Sequence, residues 1–411
     1  MKVLALGGTG RIGKPTAARL AKIDSVSRLT VGGRNRSEAE RVASGLGTKA
    51  VAAQVDLFDH DQLVSLASEH DLVMNMAGPD YKVAYAVARA AVQAGAHCVD
   101  ISADPAATER ILALDGQARA SGLTVITGIG HGPGISNLMM MHAASQLDEV
   151  DEVRFDLNCP VSLFFDAEPG RMAADFRKSG RVSASWETLF KWIAGPVRII
   201  REGHLSEVDP AQSATKVDVP TGGDMIVHPL GTTEPITMPR YLSGVRSLSF
   251  RMGWFPPQLN VPYLELGQRI RAGEIDTAEA TISFLETIAS NPGRWLSNPP
   301  GSASSFINWA TAIGRRGGQR ATYACWPVGD WMTTVGTLFL AASRILNGEF
   351  RERGVFPPEG AFEPAPFLQA VAQDAGALPS GRWLAESLES LPSRPKRAAR
   401  SRTARRTART R

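Results

Sequence analysis

Near the amino terminus, the run Gly7-Gly8-Thr9-Gly10-Arg11-Ile12-Gly13 follows the apolar segment Lys2–Leu6 and opens an amphipathic stretch. Two spacings overlap in it: Gly8-x-Gly10-x-x-Gly13, and the wider Gly7, Gly10, Gly13. Glycines at these intervals do three separate jobs. One makes a tight turn, one lets backbone approach a pyrophosphate, and one lets a helix pack against a strand. Free N–H groups and the positive helix end then hold the phosphates. All seven residues are candidates for a dinucleotide cradle.

The second strand should choose between dinucleotides. A carboxylate at its end bonds a ribose 2′-hydroxyl, but this chain reads Gly32-Gly33-Arg34-Asn35-Arg36. Two guanidinium groups suit a 2′-phosphate through bidentate, charge-assisted bonds, so Arg34, Asn35 and Arg36 point to NADP(H). The alternative is a pair of surface arginines on a loop. Asp56, closing the third strand, either accepts from an adenine amino group or caps the next helix. Ala77-Gly78-Pro79 ends the fourth strand at the switch point of a doubly wound sheet, where small residues admit a ribose and ring.

Hydride transfer asks little of a protein beyond positioning and a proton carrier. His131 stands in Gly128–Gly134, where every second residue is glycine. Its imidazole titrates near neutrality; the competing role is a packing or hydrogen-bonding histidine. Tyr81 is a candidate donor or a core aromatic, and Asp104 a candidate acid or a helix cap. For substrate carboxylates, Arg171, Arg240 and Tyr241 are candidates, with Arg246 and Arg251 also available. Trp186, Trp192, Trp254 and Phe255 wall a pocket or pack a core.

The elements that must position these groups read as follows. Strands are expected at Lys2–Leu6, Arg28–Gly32, Ala50–Val55, Leu72–Met76, Cys98–Ile101 and Leu123–Thr127. Helices are expected at Arg11–Lys22, from Ser37, at Asp59–Ala67, Tyr81–Ala94 and Ala107–Ala120. This rhythm is α/β, a Rossmann doubly wound parallel sheet. After Glu149 the pattern becomes α+β, with strands at Val150–Asn158 and Ala214–Pro229 and helices at Arg171–Trp192, Leu259–Ala272 and Thr277–Ala289. The expected domains are 1–130 (nucleotide), 131–345 (substrate and dimerisation), 346–391 (a return to the first domain) and a tail, 392–411.

The 411 residues exceed one compact core, and 43% hydrophobic residues allow a large one. Residues 394–411 hold nine basic and no acidic groups; taken from 45, they leave 36 basic against 41 acidic, a body charge of −5. The basicity therefore belongs to an apolar-poor, disordered tail, and neither a nucleic-acid reader nor a metal site is indicated. Three scattered cysteines suggest no disulfide framework and fit the cytoplasm. No leader is apparent, and Trp331–Leu346 is short and polar-broken for a membrane span, so a buried helix is expected.

Val3–Leu20, Asn75–Ser102 and Gly122–Leu138 together resemble the saccharopine dehydrogenase-like NAD(P) oxidoreductases. The match is carried by the glycine run, Ala77-Gly78-Pro79, Ala94-Gly95-Ala96-His97-Cys98-Val99-Asp100-Ile101 and Gly130-His131-Gly132-Pro133-Gly134-Ile135-Ser136-Asn137. Gly354-Val355-Phe356-Pro357-Pro358-Glu359 looks like the family's closing segment. The resemblance implies a Rossmann domain with an inserted α/β domain, a homodimer, and hydride transfer at an imine or amine carbon of an amino-acid-like substrate. This chain departs from the saccharopine-forming members in having Gly132 before Pro133, where those carry Asp, and Ser136-Asn137 after it; it looks closer to the broad bacterial branch. Two other functions stay open: NADPH-dependent reduction of a C=C or C=O bond, and a non-catalytic NADP sensor with protein or nucleic-acid partners.

Overall fold

A computed structural model describes residues 1–164, 167–296, 307–328, 334–376 and 383–390. The expected disordered tail and the start of the Trp331–Leu346 stretch lie outside the described residues, as does much of Asn291–Ser305, where clustered proline and glycine predict a loop.

The chain opens with β1 (Lys2–Leu6), α1 (Gly13–Leu20), β2 (Arg28–Gly33), α2 (Arg36–Ser44), β3 (Ala50–Gln54) and α3 (His60–Ala67). It continues with β4 (Leu72–Asn75), α4 (Asp80–Ala94), β5 (His97–Asp100), α5 (Pro105–Leu112), α6 (Asp115–Ala120), β6 (Thr124–Ile126) and α7 (Ile135–Ala144). Next come β7 (Glu149–Pro160), α8 (Pro169–Ser179), α9 (Ala184–Lys191), β8 (Val197–Arg201), β9 (His204–Val208), β10 (Thr215–Asp218) and β11 (Asp224–Pro229). Then follow α10 (Glu234–Thr237), β12 (Ser247–Phe255), α11 (Asn260–Arg271), α12 (Thr277–Ser290), α13 (Pro292–Trp295), β13 (Ile307–Arg316) and β14 (Gln319–Pro327). The closing elements are α14 (Thr334–Leu346), β15 (Gly354–Phe356), α15 (Pro358–Ala361), α16 (Pro364–Asp374) and β16 (Leu384–Ser390).

Seven parallel strands form the first sheet, in the order β15-β6-β5-β4-β1-β2-β3. The order reverses direction at β1 and β4, which creates the crevice of a Rossmann sheet at the carboxyl edge. The strands are buried on both faces, so they read as continuous apolar runs. In α4, Val83, Ala84, Val87, Ala88 and Ala91 recur at helical spacing on the buried face, and Gly95, at φ 77°, ends the helix in the left-handed region. Helix α1 is braced from outside: Arg19 pairs with Asp374 of α16 and stacks 3.9 Å from the Phe339 ring centroid of α14.

The second sheet has nine strands, ordered β10-β11-β12-β7-β13-β14-β16, with β8 and β9 branching from β12. Its only described parallel pair is β7 with β12. One face carries Phe155, Phe250 and Trp254 into a core that is continuous with α1, α7 and α14. The expected return segment is shared between the sheets: β15 completes the nucleotide sheet, and β16 pairs with β14 of the second.

Two expected helices are broken. Arg171–Trp192 is α8 and α9, because Gly180 takes φ 64° and ends the first. Ala107–Ala120 is α5 and α6, separated at Ala113-Leu114. The Ala214–Pro229 segment is the β10–β11 hairpin turning at Thr221-Gly222-Gly223, and the described part of the apolar stretch is α14, buried along Leu338, Ala341, Ala342 and Ile345.

Between β7 and β12, Asp156 is fully buried and accepts two bonds from Arg251, at 2.7 and 2.8 Å. Removing one partner leaves the other charge uncompensated. Asp156→Ala is therefore expected to lower unfolding free energy by about 3 kcal/mol, measured by denaturant titration.

Candidate active site

The turn after β1 is built from close approaches. At Gly7, φ is 75° and a Cβ would lie 2.7 Å from the Met76–Ala77 peptide, so the β1 and β4 loops abut at the switch point. At Gly13 a Cβ would lie 2.0 Å from the Gly7 carbonyl oxygen. Both positions exclude any side chain. Gly7 N donates to Gly32 O, Gly8 N to Ala5 O and Gly10 N to Gly7 O, at 2.9–3.2 Å; Ile12 N and Gly13 N enter no backbone hydrogen bond. Helix α1 has no side-chain cap and no acidic residue in its first turn, whereas α2, α3 and α5 are capped by Asn35, Asp59 and Asp104. The open end suits an anion.

Thr9 lies against Gly33, its Oγ1 3.7 Å from where a Cβ would be, and Arg11 is exposed on the outer side of the turn. Arg34 is exposed and joins no ion pair among the described residues. Arg36 bonds Glu40 at 2.8 Å, and Asn35 accepts from Glu38 N at 3.1 Å as the α2 cap. The capping alternative for Asp56 is corrected: Asp59 caps α3, while Asp56 accepts from Phe58 N at 3.0 Å in a turn.

Ala77-Gly78-Pro79 forms the facing wall, where a Cβ on Gly78 would lie 2.5 Å from Ala184 of α9. Below it runs a network that no sequence signal assigned. Asp100, fully buried, accepts from Asn75 Nδ2 at 2.7 Å, Ser102 N at 2.8 Å and Thr127 Oγ1 at 3.1 Å. Asn75 Oδ1 accepts from Ala77 N at 3.2 Å. Burial pushes Asp100 up to about 6 against these bonds. Its carboxylate fixes the ends of β4, β5 and β6, which form the crevice floor. The available signal was polar residues closing adjacent apolar strands.

The three candidate catalysts are not brought together. Tyr81 and Asp104 line a groove of about 290 Å³ between the exposed faces of α4 and α5, with Phe58, Tyr85 and Arg110. Asp104 is occupied as the α5 cap, accepting from Ala107 N at 2.7 Å. Tyr81 donates to Glu187 of α9 at 3.2 Å, and burial raises its phenol, keeping the proton on. Lys82 and Lys191 flank its ring, a cationic pair that the sequence reading missed.

His131 sits elsewhere, on the glycine loop between the two sheets. Its ring meets Phe155 edge-on at 6.1 Å, and a Cβ on Gly132 would lie 2.6 Å from Phe250. Burial pulls His131 down to about 4, so the expected titration near neutrality gives way to a neutral imidazole at pH 7. Of the carboxylate binders, Arg171 is exposed on α8, 3.9 Å from Asp175. Arg240 and Tyr241 are exposed near α15, where the Tyr241 hydroxyl fills the space beside Gly360. Arg251 is held by Asp156.

Residues 3–126 match the family model described as the saccharopine dehydrogenase NADP binding domain. Over these residues the chain is similar to the nucleotide-binding domain of the saccharopine dehydrogenases. Across both domains its fold is similar to saccharopine dehydrogenase (L-Glu forming) from Saccharomyces cerevisiae, at TM-score 0.63 and 16% identity, covering 95% of this chain and 100% of that one. UDP-N-acetylglucosamine 3-dehydrogenase from Acidithiobacillus ferrooxidans aligns at TM-score 0.40 and 15% identity, over 90% and 97%. The saccharopine dehydrogenase-like domain is an NADP-binding one, and the turn, the open α1 end and the Arg34 loop fit that group. No described helix is long and apolar enough to cross a membrane.

If the turn holds a pyrophosphate, Gly13→Ala weakens NADPH binding at least tenfold, above about 1.4 kcal/mol, in a fluorescence titration. Gly116→Ala is the control: it lies in α6, no heavy atom is within 4 Å of its Cβ position, and NADPH affinity should be retained.

Proposed function

We propose that the chain is an NADP(H)-dependent oxidoreductase that moves hydride to or from an imine or amine carbon of an amino-acid-like substrate. The observation that carries the cofactor preference is the β2 end, where Gly32-Gly33-Arg34 offers a cation and no carboxylate. Arg34 is the main 2′-phosphate holder, with Arg36 released from Glu40 as the second. Thr9 to Gly13 hold the pyrophosphate, and Asp56 keeps an oxygen for the adenine. Ala77, Gly78 and Pro79 border the ring, and Asp100 keeps that wall in place.

The cofactor, when bound, supplies the hydride. The chain contributes orientation and exclusion of water, through the Gly130–Gly134 loop packed on Phe250. A neutral His131 on that loop acts by hydrogen bonding to the reacting nitrogen, in place of carrying a proton at pH 7. Residues 1–130 serve as the nucleotide domain and the second sheet as the substrate domain.

Arg34→Asp is expected to weaken NADPH binding at least tenfold and to raise relative NADH affinity; equal affinities for both coenzymes in the native protein would contradict the reading. A screen of amino acids paired with keto acids or aldehydes, followed by NADPH absorbance, tests the substrate class. Turnover confined to ketones or activated alkenes would overturn it.

A further inference from the structure

At the amino end of α7 lies a buried polar cluster that cofactor binding does not use. Glu234 of α10 and Glu359 of α15 are 0% and 8% exposed. Ser136 Oγ donates to Glu234 Oε1 at 2.6 Å, and Asn137 Nδ2 donates to Glu359 Oε2 at 2.8 Å. The same two residues hold the glycine loop: Gly134 N donates to Asn137 Oδ1 at 2.9 Å, and Ser136 N donates to His131 O at 3.0 Å. The two acids thus reach the loop from different parts of the chain. Helix α10 packs on β12 of the second sheet, and α15 follows the seventh strand of the first.

Each carboxyl group keeps one buried oxygen, Glu234 Oε2 and Glu359 Oε1, without a hydrogen-bond partner. Neither acid forms an ion pair among the described residues. The charged group that acts on Glu359 is Glu234 itself, and the Tyr241 phenol also faces Glu359; Arg240, on the far side of that phenol, is exposed, and Arg119 is held by Asp115. Helix α7 presents only Ser136 and Asn137, and Arg251 of β12 is turned to Asp156. Two ionised carboxylates in such a dry site would lack any counter-charge. Burial, with Glu234 adding to it, pushes Glu359 up to about 7, and burial raises Glu234 as well.

We propose that Glu234 and Glu359 form a proton-sensitive latch: with Glu359 neutral they clamp the second domain and the carboxy-terminal return onto α7, and loss of that proton loosens the Gly130–Gly134 loop. The latch is independent of the substrate and of cofactor choice. Because the folded group titrates above its ordinary range, its contribution is fully present below about pH 4.5 and is lost as pH rises through about 7. Asp100, raised to about 6, shows the same sign but completes its loss lower. The depressed His131 and His228 act only as pH falls. Above pH 6.5 the buried Cys98, Cys159 and Cys325 thiols, raised by burial, also lower stability as pH rises, equally in wild type and variant, so the difference between the two reports Glu359.

The test is thermal unfolding of the full chain between pH 5 and 9, for wild type and Glu359→Gln, which mimics the neutral acid. Between pH 6.5 and 8.5 wild type should lose about 1 °C more in Tm than Glu359→Gln, so that the variant exceeds it at pH 8.5. Hydrogen exchange over residues 128–137, corrected for its intrinsic pH dependence, should rise at pH 8.5 in wild type and not in the variant. If Glu359→Gln does not fold, Glu234→Gln takes its place and, by removing the like charge that raises Glu359, should move the wild-type transition to lower pH. Parallel Tm profiles for wild type and the glutamine variant, or a constant offset between them, would overturn the latch.

Discussion

The architecture turns on a backbone approach that admits no side chain. Gly13 rests against the Gly7 carbonyl, and Gly7 rests against the Met76–Ala77 peptide. The first contact sets where α1 begins; the second sets how closely the β1 and β4 loops meet. Together they make a shallow, backbone-lined notch at the point where strand order reverses. A single Cβ at either glycine would move the helix off the sheet or open the loops. Arg19, Asp374 and Phe339 then hold α1 from its other side, so the helix end is fixed before any ligand arrives.

The electrostatics follow from that geometry. Helices α2, α3 and α5 close their amino ends with side chains, at Asn35, Asp59 and Asp104; α1 does not, and unlike α4, also uncapped, it has no acid in its first turn. An uncapped, acid-free helix end beside an exposed arginine is a place for phosphate. The crevice floor uses the opposite device, a buried carboxylate with several donors, in which Asp100 fixes three strand ends at once. The glycine loop carrying His131 is held in a third way, by acids from α10 and α15 through Ser136 and Asn137.

Much of the first domain was legible because its signals are local. The glycine spacing, the apolar runs and the Arg34 loop are each read within a few residues, and the strand order follows from the βαβ rhythm. The breaks at Gly180 and Ala113-Leu114 were not, since apolar periodicity continues through both. Local competition also decides roles: Asn35 caps α2, and Asp104 takes the second of its two readings, the cap of α5. The site's second half was out of reach for a different reason. Ser136 meets Glu234 across 98 positions, and Asn137 meets Glu359 across 222. The aromatic surroundings that neutralise His131 come from β7 and β12. Such partnerships exist only once the two sheets are packed.

The central claim is that the notch after β1 is the pyrophosphate site. A crystal structure of the protein with NADP bound tests it most directly. The account predicts the diphosphate within hydrogen-bonding distance of Ile12 N and Gly13 N, with the ribose phosphate beside Arg34. A dinucleotide seated anywhere else on the molecule, with that notch empty at saturation, would contradict it.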